Sequence, residues 1–96
     1  MPPKTPQSLL LAGRPLEALA GFDALLAASP ANAEALFGRA SALQHLGRLD
    51  EAKAVYDAVL GLMPGAVGAL NNRGEVLLAL GQPGAALKDF VHALSI

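Results

Sequence analysis

Ser41, His45 and Asp50 are the residues whose types could support nucleophilic chemistry. The first two lie four apart on one helical face, and the aspartate follows a turn. A working triad also needs an oxyanion site and a pocket that excludes water. No glycine elbow or second loop supplies either, so Ser41 and His45 read as partly exposed polar positions and no catalytic residue is assigned.

Other site chemistry is equally thin. The two histidines, His45 and His92, have no His or carboxylate partner at ligand spacing, so no metal site is expected. Cysteine is absent, which excludes thiol nucleophiles, thiolate metal sites and disulfides. The glycines are scattered and form neither a GxGxxG nor a GxxxxGK pattern, so no phosphate loop and no cofactor is expected.

Three polar patterns carry more. Glu34, Asp50 and Glu51 stand where helices should open, where a carboxylate complements the helix dipole. Arg39 and Arg73 each follow an aspartate, Asp23 and Asp57, by 16 residues. That double offset points either to a repeated inter-helix ion pair or to two arginines lying along an apolar flank with their heads in water. Asn71 and Asn72 sit together inside a helical pattern, although asparagine is a poor helix former. Their amides could grip a peptide backbone or bond to their own neighbouring helix.

The elements that hold these residues follow from a period. The segments beginning at Gly13, Gly47 and Gly81 start 34 residues apart and align Ala18, Ala52 and Ala86; Phe22, Tyr56 and Phe90; Leu26, Leu60 and Leu94; and Pro30 with Pro64. Leu36, Ala40, Leu43 and Leu46 keep helical spacing, as do Ala52, Tyr56, Val59 and Leu60, so each helix has one stripe to bury. Gly47 and Gly81 suit a helix C-cap with a left-handed backbone. Pro15 and Pro83 suit a first helical turn, and Pro30 and Pro64 end helices.

The pattern predicts a stub helix at 6–12 capped by Thr5, then helices at 15–28, 33–46, 49–62, 67–80 and 83–95. A tail at 1–5, a partial repeat at 6–32, a full one at 33–66 and a nearly full one at 67–96 are the expected divisions. The small residues Ala40, Gly74, Ala52 and Ala86 fall where helices should cross closely. Leu94, Ile96 and Phe90 would leave an apolar edge, to be covered by further repeats or by a second copy.

These residues resemble the tetratricopeptide repeat, a 34-residue helix-turn-helix unit, over roughly residues 6–96. Departures are Leu36 and Leu70 at the family's early aromatic position, and Arg39 and Arg73 at its next leucine. Asn71-Asn72-Arg73-Gly74 is similar to bacterial arrays, including those joined to O-linked N-acetylglucosamine transferase-like enzymes. The resemblance implies an all-α fold of about two and a half stacked antiparallel hairpins in a right-handed superhelix.

It also implies a peptide groove on the first helix of each repeat. Carried over by position, that groove comprises Glu34, Phe37, Gly38, Ser41, Gln44, His45, Asn71, Asn72, Glu75, Leu78 and Ala79. Asn72 falls at the asparagine ladder of the transferase-type arrays. Phe37, Ser41, Gly68 and Glu75 stand where a carboxylate clamp for EEVD-type tails needs basic and amide groups, which argues against that sub-function. A ligand of mixed polar and apolar character is expected instead.

Bulk properties agree. The chain has 96 residues, a net charge of −1, 53% hydrophobic residues and no tryptophan, so burial rests on Ala, Leu and Val in thin layers. Its 7 basic residues form no stripe, which disfavours nucleic acid. The apolar run Leu9 to Ala12 is too short for a signal core, and no stretch approaches a membrane span, so a cytoplasmic location is the default. The expected function is a non-enzymatic scaffold that binds a protein or peptide; the alternative is a substrate-recruiting fragment of a larger enzyme such as a glycosyltransferase.

Overall fold

A computed structural model describes residues 5–96. Of the expected tail at 1–5, only Thr5 is among the described residues, and it is the N-cap of the first helix. Its Oγ1 accepts from the Ser8 N–H at 3.1 Å while Ser8 Oγ accepts from the Thr5 N–H at 3.0 Å, a reciprocal capping box. Six helices follow in order: α1 (Pro6–Leu11), α2 (Pro15–Ala28), α3 (Ala33–His45), α4 (Leu49–Leu62), α5 (Val67–Ala79) and α6 (Pro83–Ser95). No strand occurs among the described residues.

Two kinds of turn alternate. At the α1–α2, α3–α4 and α5–α6 turns, Gly13, Gly47 and Gly81 have φ of 76°, 75° and 77°, a region that only glycine enters freely. At the middle turn the Gly47 N–H bonds the Gln44 carbonyl and the Arg48 N–H bonds the Leu43 carbonyl, which satisfies two of the orphan carbonyls at the end of α3. The same pair of bonds recurs at Gly13 and Gly81. The other turns run through Ser29-Pro30 and Met63-Pro64, whose prolines prevent the helix from continuing.

Consecutive helices pack on each other, and α1, α3 and α5 also touch along one side. The stack measures 40 × 24 × 22 Å. Ala18, Ala40, Ala52 and Ala86 are fully buried at the crossings. Gly74 lies beneath Phe90, where an added Cβ would come within 2.5 Å of the ring. Gly38 lies still closer beneath Phe22, at 2.2 Å for an added Cβ, and also lines the hollow between Leu10 and Phe37. Burial of Phe22, Leu43, Tyr56 and Leu70 each contributes roughly 1.5–3 kcal/mol, which is what makes such thin layers hold.

Helix α6 keeps an open apolar face. Leu87, Val91, Leu94 and Ile96 are exposed, Leu94 at 87%, whereas Phe90 is half-buried because its ring covers Gly74. Among the described residues, no helix is long and apolar enough to cross a membrane.

Candidate functional site

Tyr56 organises the polar side of the α3–α5 contact. It is the chain's single tyrosine, fully buried, and it projects from α4 between α3 and α5. Its hydroxyl donates to Gln44 Oε1 at 2.7 Å. With that proton committed, Asn72 Nδ2 donates to the phenolic oxygen at 3.2 Å, and the Ser41 hydroxyl, also at 3.2 Å, is left to donate as well. Burial pushes the Tyr56 phenol above its ordinary value; the Ser41 and Asn72 bonds oppose this and the nearby Glu75 charge adds to it.

Above this network lies an open pocket of about 340 Å³ lined by Ser41, Gln44, His45, Asn72 and Glu75. Gln44 Nε2 donates to Glu75 Oε2 at 3.3 Å and ties α3 to α5. One layer earlier, Gln7 Nε2 donates to Glu34 Oε1 at 3.1 Å and ties α1 to α3 in the same manner. His45 Nδ1 lies 2.7 Å from the Ser41 carbonyl, which can only accept, so Nδ1 carries a proton, and in the neutral form of the ring Nε2 is an acceptor.

Beside the pocket, the half-buried Phe37 ring meets Tyr56 edge-on at a centroid distance of 5.9 Å. Phe37 walls two apolar hollows of about 420 Å³ each. Leu10, Leu11 and Phe22 line one, which shares Ser41 with the polar pocket; Val59, Met63 and Gly68 line the other.

The structure therefore brings together Ser41, Gln44, His45, Asn72 and Glu75 from the expected groove. Ser41 is buried with its hydroxyl on Tyr56, a correction to its reading as partly exposed. Asp50 is exposed in the first turn of α4, and no hydrogen bond joins it to His45. Glu34 and Phe37 border the apolar hollow instead of the polar pocket. Asn71, Leu78 and Ala79 are exposed and lie outside the pocket lining. Asn72 turns its amide nitrogen toward the neighbouring helix, which decides one of its two open readings for that nitrogen.

Arg39 and Arg73 are paired. Arg39 Nε reaches Asp23 at 2.7 Å, and Arg73 Nη1 reaches Asp57 at 2.9 Å. Arg73 also grips both oxygens of Asp89 at 2.7 Å, a partner that lies 16 residues on the other side and that sequence reading missed. Glu51 pairs with Arg48, and Asp50 and Glu51 occupy the first turn of α4. Among the described residues, no group of three His, Asp or Glu side chains could hold a metal ion.

Antiparallel helical hairpins repeated every 34 residues, with polar side chains open along their first helices, define a helical-repeat protein of the kind that presents one long face. The chain belongs to the tetratricopeptide repeat family: one Tetratricopeptide repeat model matches residues 9–70 and a second matches residues 67–96. Several solved structures share the fold. YrrB, described as a TPR protein with an unusual peptide-binding site, is 26% identical with a TM-score of 0.88 over 94% of this chain and 46% of its own. The second TPR of Spaghetti (RPAP3), bound to the HSP90 peptide SRMEEVD, is 25% identical with a TM-score of 0.88 over 93% of this chain and 82% of its own. MamA from Desulfovibrio magneticus RS-1 is 20% identical with a TM-score of 0.89, covering 94% of this chain and 51% of its own. This chain spans about half the length of the MamA chains it matches. No curated protein matches it.

Proposed function

We propose that this chain is a non-catalytic scaffold that holds an extended peptide or protein segment along the face built by α1, α3 and α5. The observation that carries this reading is the open pocket over Tyr56. Gln44, Asn72 and Ser41 are fixed by a buried hydroxyl, and the pocket they line with His45 and Glu75 stays open. Such preorganisation lowers the ordering cost of binding. The peptide-binding site of YrrB and the HSP90 peptide bound to the Spaghetti domain support the same class of partner.

The groove proposed comprises Glu34, Phe37, Ser41, Gln44, His45, Asn71, Asn72, Glu75 and Leu78, with Phe37 offering apolar contact beside the polar pocket. An acidic tail of the SRMEEVD kind is a poor fit, because Glu75 would face its carboxylates and neither lysine nor arginine lines the pocket. The test is a random peptide display selection on the full chain, followed by NMR titration of an enriched peptide. Amide shifts should concentrate on α3 and α5. Failure to enrich any peptide, or a footprint confined to α4 and α6, would overturn the proposal.

A further inference from the structure

The hydrogen-bonding capacity of the Tyr56 pocket is unbalanced. The buried donors are all matched: the Tyr56 hydroxyl on Gln44 Oε1, Asn72 Nδ2 and the Ser41 hydroxyl on the phenolic oxygen, and the His45 Nδ1 proton on the Ser41 carbonyl. Apart from the second hydrogens of two amides, the lining groups with hydrogen-bonding capacity to spare accept only. They are the Glu75 carboxylate, Asn72 Oδ1 and, on the neutral ring, His45 Nε2.

Charge is unbalanced in the same direction. Arg14, Arg39, Arg48, Lys53 and Arg73 each pair with a carboxylate, yet none of these pairs involves Glu75, whose protein contact is the amide of Gln44 at 3.3 Å. Among the described residues, the pocket thus presents a negative charge without an ion-pair partner, set among acceptors and tied through Gln44 to a buried phenol.

We infer that this pocket takes a basic side chain, arginine or lysine, of the bound segment; the inference rests on the peptide-binding reading above. A guanidinium or ammonium group carries donors and no acceptor, so it matches all three open acceptors and supplies the counter-charge that Glu75 lacks. An acidic or acceptor-only side chain would meet like charge and unpaired lone pairs. The apolar hollow that shares Ser41 with the pocket receives a neighbouring apolar residue of the same segment against Phe37 and Leu10.

The sequences recovered by display selection on the full chain read this directly. Wild type should enrich Arg or Lys at one fixed position. Glu75→Gln should lose that enrichment, while Asp50→Asn, an equal charge change outside the pocket, should keep it; circular dichroism confirms that both variants stay helical. For one selected peptide, replacing its basic residue by Gln should weaken binding about tenfold on wild type and hardly at all on Glu75→Gln, since the cycle isolates that pair. Selected peptides that map to α3 and α5 without a basic position, or that bind Glu75→Gln as tightly as wild type, overturn the inference and leave the peptide-binding reading standing. Failure to select any peptide, or a footprint confined to α4 and α6, overturns both.

Discussion

Arg73 holds Asp89 through two parallel hydrogen bonds, Nε to Oδ2 and Nη2 to Oδ1, each 2.7 Å long. The fork fits the carboxylate in the plane of the guanidinium, and Nη1 remains to bond Asp57 at 2.9 Å. These bonds raise the Arg73 pKa against the opposing effect of its burial, so its charge is never in play. Asp89 is only 6% exposed. Its carboxylate depends on Arg73 in a way that Asp23, half exposed beside Arg39, does not depend on its arginine.

Removing the two arginines should therefore have unequal effects. Arg73→Ala strands a buried carboxylate and should cost about 3 kcal/mol, whereas Arg39→Ala breaks an exposed pair and should cost about 1 kcal/mol or less. Val55 stands at the position of Asp89 one repeat earlier, so the double change Arg73→Leu with Asp89→Val should recover most of the loss. Denaturant melts decide the matter. Equal losses from Arg39→Ala and Arg73→Ala would contradict the buried-pair account.

Gly38 and Asn72 occupy equivalent positions and show why one repeat has a pocket and the other a ring contact. Gly38 admits the Phe22 ring, with an ideal Cβ only 2.2 Å from Cε1, while Asn72 bonds the hydroxyl of Tyr56. Gly38→Ala should gain up to about 1 kcal/mol of helix propensity yet lose more to overpacking, because the Phe22 ring, 2% exposed, would be pushed out of its packed position. The expected net loss is about 1–2 kcal/mol. Phe22→Leu should reduce it when the two are combined, and a Gly38→Ala variant more stable than wild type would refute the close contact.

Much of this fold is legible because the turns and crossings demand rare residues. A positive φ at Gly13, Gly47 and Gly81 leaves a mark that recurs every 34 residues, and the close crossing at Gly74 has the small residue Ala40 one repeat earlier. The site is less legible, because it depends on which side chains meet across helices. The separation of 16 residues joins Arg39 to Asp23, Arg73 to both Asp57 and Asp89, and Tyr56 to Asn72. Counting backward from the arginines finds the first two aspartates; only counting forward finds Asp89. Asn71 and Asn72 are neighbours in sequence and so stand about 100° apart on the helix, which lets only one of them turn to Tyr56.

Asn32 and Ala66 are the equivalent N-cap positions of α3 and α5, with ψ of 97° and 95° at the same φ of −71°. Asn32 Oδ1 accepts from the Ala35 N–H at 3.1 Å, and α5 has no side-chain cap. Ala66→Asn should therefore stabilise the chain by about 1 kcal/mol and raise Tm by roughly 4–8 °C. Asn32→Ala should lose a similar amount, and thermal melts of both variants check the symmetry.

Tyr56 makes stability depend on alkaline pH. Its folded pKa is raised above the unfolded value of about 10, chiefly by burial, so folding keeps the proton on. The stability linked to that proton is fully present below pH ~10 and falls as pH rises through the folded pKa. Tyr56→Phe removes the titration and also leaves Ser41, Gln44 and Asn72 without their common partner, at a cost of about 1–2 kcal/mol near neutrality. The stability gap between wild type and Tyr56→Phe should then narrow as pH is taken above ~10, while titrating lysines affect both alike. Phenolate absorbance reads the group directly, since no other tyrosine is present. An ionisation midpoint at or below that of a free tyrosine, or a gap constant with pH, would rule out the buried network as described.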